Sequence, residues 1–152
     1  MTEFTCVGCG QNKSSDQFYK SSDCSRGFKP NCKKCMKPKM DHKREWTRRY
    51  EKTEKGFIMR MYRNMKSRIE GVQHKKKHLY EGKYLLSKEE FYDWIKSQSD
   101  FKSLFLLYEA SNWERRLAPS VDRVDPSKGY SIDNMEVVTM SENSRRSTKT
   151  RN

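Results

Sequence analysis

The sequence predicts an α+β protein with three parts: an N-terminal module built on four cysteines, a basic helical middle region, and a C-terminal strand–loop–strand–helix unit. Three observations lead there. Cysteines occur as two Cys-x-x-Cys pairs near the N-terminus. A long Lys/Arg-rich stretch carries apolar residues at helical spacing. Two short apolar runs near the C-terminus flank a Gly-Tyr turn and precede a polar helix start. Only 33% of the 152 residues are hydrophobic and 35% are charged, so the cores are small. Small cores commonly depend on a metal or a partner. The segments expected are 1–40 for the cysteine module, 41–86 for the basic helical region and loop, and 87–152 for helical support plus the C-terminal unit.

In the first segment, Cys6-x-x-Cys9 and Cys32-x-x-Cys35 are separated by 22 residues. Each pair forms a knuckle whose two thiolates reach one ion. Four thiolates make a closed tetrahedral site suited to structural Zn²⁺, with no position left for water. Gly8 and Gly10 permit the tight first knuckle. Free thiols in a small core are the plain alternative, and they leave the paired spacing unexplained. Cys24 has no partner at knuckle spacing and reads as a spare thiol. The N-terminus, Met-Thr-Glu-Phe-Thr-Cys, has no signal-peptide pattern. The longest apolar run, Leu104 to Tyr108, is far short of a membrane span. The expected location is therefore cytoplasmic, where cysteines bind metal rather than pair as disulfides.

The net charge of +13 is unevenly placed. Residues 37–78 carry 15 Lys/Arg against 5 Asp/Glu, whereas residues 79–152 carry 12 of each. A solvated basic helix face would be the ordinary reading of such a run, but an excess this concentrated points to a polyanion, and double-stranded DNA is the expected partner. The candidates for contact are Lys33 and Lys34 in the second knuckle, Arg48, Arg49, Arg60 and Arg63 along the helical stretch, and the Lys75, Lys76, Lys77 cluster. A helix is expected from about Asp41 to Ile69. Phe57, Ile58, Met61, Tyr62, Met65 and Ile69 share one of its faces, and Gly56 is a possible break. Residues 71–86 read as a loop. His74 and His78 are spaced i, i+4 but lack a third ligand, and read as surface.

Ser87-Lys-Glu-Glu90 is a capping box that starts a helix burying Phe91, Trp94 and Ile95. Asp100 is expected to cap a further helix containing Phe101, Leu104, Phe105, Leu107 and Tyr108, with Trp113 and Leu117 completing a small core. Two strands, Ser120 to Val124 and Met135 to Val138, follow. Thr139-x-x-Glu142 is a second capping box, which puts Asn143 in the first turn of the last helix. Arg145 and Arg146 come just after it and are candidate phosphate contacts.

Residues 118–146 resemble the ββα-metal unit of HNH-family endonucleases, in particular small phage-type and homing-type members. The residues that carry the resemblance are Ser120-Val-Asp-Arg-Val-Asp, Lys128-Gly-Tyr, Asp133-Asn-Met, Val138-Thr and Glu142-Asn. The resemblance implies a metal-dependent DNA endonuclease, with Asp122 and Asn143 as ligands of a catalytic Mg²⁺ or Mn²⁺ and Asn134 pinning the loop between the strands. Oxygen donors suit a hard cation that keeps several waters. The sequence departs from the family at Arg123, where the general-base His usually stands. Arginine stays protonated and cannot take a proton. In the catalytic set of Asp122, Arg123, Asn134 and Asn143, it becomes an electrostatic clamp on phosphate. Water activation then falls to the metal ion itself, Asp125, His74 or His78. A monomer or weak dimer with one such unit would nick one strand at a time. If the gene is carried by a phage, the protein works in the host cytoplasm. The rival reading is a non-catalytic DNA- or RNA-binding protein with a degenerate HNH fold. The plain reading of Asp122 is an ion pair with a nearby arginine such as Arg145.

Overall fold

The computed structural model describes residues 2–72 and 74–149; the side chains of Lys76 and of residues 147–149 lie outside the description. The fold is mixed α+β, with five α-helices and three two-stranded antiparallel sheets among the described residues. The chain divides into two compact units, Met1–Tyr50 and Glu51–Asn152, where the sequence suggested boundaries after residues 40 and 86. No helix among the described residues is long and apolar enough to cross a membrane.

The first unit is two small hairpins and a helix. β1 (Glu3–Thr5) pairs with β2 (Asn12–Ser14), and β3 (Phe18–Lys20) pairs with β4 (Phe28–Cys32). α1 (Lys33–Glu51) follows β4 directly. Among the described residues its core is Cys6, Phe18 and Cys32, with Phe4, Phe28 and Cys35 against them. Arg26 lies over the rings of both Phe4 and Phe18, 5.1 and 5.3 Å from their centroids. The helix begins earlier than its expected start near Asp41 and runs through Pro38. Proline removes one helical hydrogen bond. At the start of α1, the backbone N–H of Cys35 binds the sulfur of Cys32 and lowers its thiol pKa. The positive helix start thus favours the thiolate of Cys32, just ahead of α1.

The second unit contains α2 (Glu54–Ile69), α3 (Lys88–Ser97), α4 (Ser99–Ala110), the hairpin β5 (Pro119–Arg123) with β6 (Met135–Thr139), and α5 (Met140–Lys149). The expected helix over 41–69 is interrupted, but not at Gly56. It breaks at Lys52 and Thr53, because the Thr53 hydroxyl caps α2 by accepting from the Gly56 N–H at 3.1 Å. Gly56 itself is buried in the first turn. Within the segment read as loop, His74–Leu79 forms a 3₁₀ turn. The Ser87 capping box is complete in both directions. Asp100 is not the cap of α4; Gln98 holds that position without a side-chain bond, and Asp100 sits in the first turn, where its charge favours the helix dipole.

One continuous core holds this unit together. Phe57, Ile58, Met61 and Met65 of α2 meet Phe91 and Ile95 of α3, Phe101 and Phe105 of α4, and Val121, Met135 and Val137 of the hairpin. Leu107 is half exposed and takes no part in it. The loop between β5 and β6 is tied back to the chain before α3. Tyr130 N–H donates to Tyr84 O at 2.8 Å, and Leu86 N–H donates to Tyr130 O at 3.0 Å. A Cβ on Gly129 would stand 2.1 Å from Tyr84 O, so this approach requires glycine.

Candidate metal centres and nucleic-acid interface

The cysteine site is assembled from three elements. Cys6 directly follows β1, Cys9 lies in the turn after it, Cys32 ends β4 and Cys35 is in the first turn of α1. Gly10 N–H donates to Cys6 O at 2.8 Å, and Val7 N–H donates to Pro30 O at 3.0 Å, which closes the first knuckle against β4. Gly8 passes so near Cys35 that an added Cβ would be 3.1 Å from the Cys35 Cβ. The four sulfurs all lie within 4.8 Å of one another. Tetrahedral zinc with Zn–S of about 2.3 Å sets sulfurs about 3.8 Å apart. The donor set and its spacing therefore fit a zinc-like ion. Cys24 is not among them.

Hydrogen bonds already favour thiolate at part of this set. The Cys32 N–H donates to Cys6 Sγ at 3.1 Å and draws the Cys6 thiol down to about 6, against the effect of burial. Cys35 is pushed up to about 12 by its hydrogen bond with Cys32 and by burial. Lys13 Nζ donates to Cys32 Sγ at 3.5 Å. Burial opposes the charge of Lys13, but the bond to Cys32 and the neighbouring sulfurs outweigh it and raise its pKa. Nothing in the local sequence marks Lys13 as a partner of the cluster, since only the β1–β2 hairpin brings it there.

At the C-terminal hairpin, Asp122 and Glu136 are cross-strand partners on one face. Two like charges so placed repel. Arg146 of α5 offsets them: its Nη1 is 3.5 Å from Asp122 Oδ2 and also bonds Glu136, while its Nε donates to Glu142 at 2.9 Å. The arginine that meets Asp122 is thus Arg146, whereas Arg145 bonds Glu142 at 2.6 Å. These bonds hold the Glu142 carboxyl below its ordinary range. The second capping box is only half made. The Glu142 N–H donates to Thr139 Oγ1 at 3.2 Å, but the Glu142 side chain is spent on the two arginines.

Asn143 turns back onto β5. Its Nδ2 donates to Ser120 Oγ at 2.9 Å and to Val121 O at 3.1 Å, next to Asp122 in the strand. Asn134, 3% exposed, closes the loop: its Oδ1 accepts from Asp125 N–H at 2.8 Å, and its Nδ2 donates to Asp125 O at 3.1 Å and Gly129 O at 2.8 Å. Asp125 caps the same loop by accepting from Ser127, which holds its carboxyl below the usual range.

Comparison with models of known families, with curated proteins and with solved structures yields no match.

Arg123 faces the other side of β5. Its guanidinium lies 4.4 Å from the Tyr80 ring centroid and 5.4 Å from that of Tyr130, and Nη1 donates to Lys128 O at 2.9 Å and to Leu79 O at 3.5 Å. Arg68 of α2 joins the same group through the Tyr130 hydroxyl at 3.1 Å. Burial raises the Tyr130 pKa. This cluster of two arginines and two tyrosines spans positions 68 to 130, so no short motif announces it. Trp94 is buried, and Trp113 packs edge-on against Phe105 and Tyr108.

The basic candidates separate into two groups. Arg60 and Arg63 both reach Glu51, at 3.4 and 2.7 Å, and Arg49 pairs with Glu45. Lys33 lies over Tyr19 and Lys77 pairs with Glu81 at 3.1 Å. Lys34, Arg48 and Lys75 are exposed, as are His74 and His78. The side chain of Lys76 lies outside the described residues.

Proposed function

We propose that the chain is a metal-dependent DNA endonuclease of the HNH type, with its phosphodiester chemistry in the ββα unit of β5, β6 and α5. The observation that supports this reading is the fold-back of Asn143 onto Ser120 and Val121, which seats its amide beside the strand neighbour of Asp122. Asp122 and Asn143 would hold Mg²⁺ or Mn²⁺, and the ion would stabilise charge on the phosphate and on the departing 3′ oxygen. Asn134 keeps the loop closed so that β5 presents Asp122 in one position. The exposed lysines and arginines supply the electrostatic attraction to the duplex. A Zn²⁺ ion on Cys6, Cys9, Cys32 and Cys35 would hold the first unit in shape.

The proton acceptor cannot be Arg123. Asp125 is a poor choice as well, because its carboxylate is already satisfied by Ser127. His74 and His78, both exposed, are the remaining side-chain candidates. If either serves, its replacement by Ala should slow cleavage by about a hundredfold or more, within the usual range for a general base, and leave DNA binding intact.

A second reading, a non-cleaving nucleic-acid binder, draws on Arg146, whose guanidinium engages Asp122, Glu136 and Glu142. A cation must compete with that side chain for Asp122. Supercoiled plasmid incubated with Mg²⁺ or Mn²⁺ separates the two. The endonuclease nicks it, Asp122→Ala abolishes nicking, and the variant still binds. Persistent integrity of the plasmid with either metal would leave the binder as the correct account.

A further inference from the structure

Helix α1 has a feature that neither metal centre uses. It buries none of its side chains, and it carries eight Lys/Arg against three Asp/Glu. In its last turns, Trp46 is 61% exposed. The indole is stacked on Tyr50, one helical turn on, with ring centroids 5.4 Å apart and planes 4° from parallel. Such an i, i+4 pair holds both rings in one orientation, so little side-chain freedom remains to be lost when a third ring joins the stack.

The charges around this pair are arranged for a strand. Lys39 and Lys43 lie on the same helical face as Trp46 and Tyr50, and neither has a carboxylate partner among the described residues. Arg44 and Arg49, by contrast, pair with Asp41 and Glu45. The large apolar side chains of α1 are Met36, Met40, Trp46 and Tyr50, and the two lysines fall within their arc. A membrane-surface helix segregates cations from a continuous apolar face. Cations interleaved with aromatic planes instead suit a single nucleic-acid strand, where rings meet bases and lysines meet phosphates. A base inside an intact duplex has both faces covered by its neighbours, so only an unpaired base can add to the stack.

We propose that Trp46, backed by Tyr50, is a stacking platform for an unpaired DNA base, with Lys39 and Lys43 on the adjoining phosphates. This inference rests on the DNA-binding reading above and adds a preference for DNA with a single-stranded element beside duplex. Trp46 lies on the surface, so its replacement does not threaten the fold; circular dichroism and zinc content check that directly.

The test is fluorescence anisotropy without divalent cation, comparing a blunt duplex with the same duplex bearing a single-stranded tail. Wild type should favour the tailed duplex. Trp46→Ala should weaken the tailed duplex about tenfold and leave the blunt duplex unchanged, while Trp46→Phe keeps most of the preference. Equal weakening of both duplexes, no change with either, or tighter binding to phosphatidylserine vesicles than to tailed DNA would overturn the inference. The endonuclease reading fails separately, on the plasmid assay with Asp122→Ala. Nicking that depends on Asp122 with no Trp46 effect sinks this inference alone. A wild-type protein that binds neither duplex sinks both.

Discussion

The two units achieve order by opposite means. Residues 1–50 have three buried core residues, two of them cysteines, and strands of three to five residues. Among the described residues, 51–152 have one cluster of fifteen buried side chains that joins three helices to a hairpin. The first unit buries too little apolar surface to outweigh the entropy of ordering its chain. Its four sulfurs, gathered within 4.8 Å, are where a metal would add what burial does not supply. The second unit needs no such cross-link.

The contrast breaks most clearly on metal removal. A strong chelator, or Cys32→Ser, should unfold the first unit, because structural zinc contributes on the order of 10 kcal/mol to folding. Amide signals of residues in the second unit should stay dispersed in NMR spectra. Loss of both sets together would mean that the larger unit is not self-sufficient.

Gly129→Ala attacks the second unit at its tightest approach. The added methyl collides with the Tyr84 backbone, so the loop must leave its seat, at about 3 kcal/mol or more. Denaturant melts followed by near-UV dichroism read that loss, and a first unit with unchanged metal content shows that it is confined to the second.

Asn134→Ala is a milder probe of the same loop. It strands one N–H and two carbonyls that Asn134 now satisfies, which costs about 2 kcal/mol. If stability is unchanged, water has replaced the amide and the loop is less closed than these bonds imply.

The smallest effect concerns acid. The Glu142 carboxyl is held below its ordinary range by Arg146 and Arg145. A depressed folded-state pKa gives stability that is present above the unfolded value and is lost as pH falls through the folded one. Thermal stability should therefore decline as pH drops below about 4, and Glu142→Gln should flatten that part of the profile. A variant as acid-sensitive as wild type would place the titrating contact elsewhere.

Several features were legible in the sequence because they are local. Two knuckles of fixed spacing announce four sulfurs in one cluster, and Ser87 with Glu90 announces a helix start that forms in full. The face of Phe57, Ile58, Met61 and Met65 follows from helical period alone. The same reasoning misjudged competition between groups. Thr139 with Glu142 has the capping-box spacing, yet two arginines one turn later attract the Glu142 carboxylate more strongly than a backbone N–H does. The helix expected from Asp41 begins instead at Lys33, beside the sulfurs of the cysteine cluster, which lie outside any propensity scale.

The sequence by itself determined the sulfur set, the charge asymmetry and the main apolar stripes, since each depends on residues a few positions apart. Only the tertiary structure decided where the charged side chains are spent. Arg146 goes to Asp122, Arg123 and Arg68 go to two tyrosines, Lys13 goes to a cysteine sulfur, and Trp46 is left uncovered on a basic helix. Coulombic and ring contacts act over a few ångströms of space whatever the distance along the chain, so the folded backbone has to exist before such partners can be named.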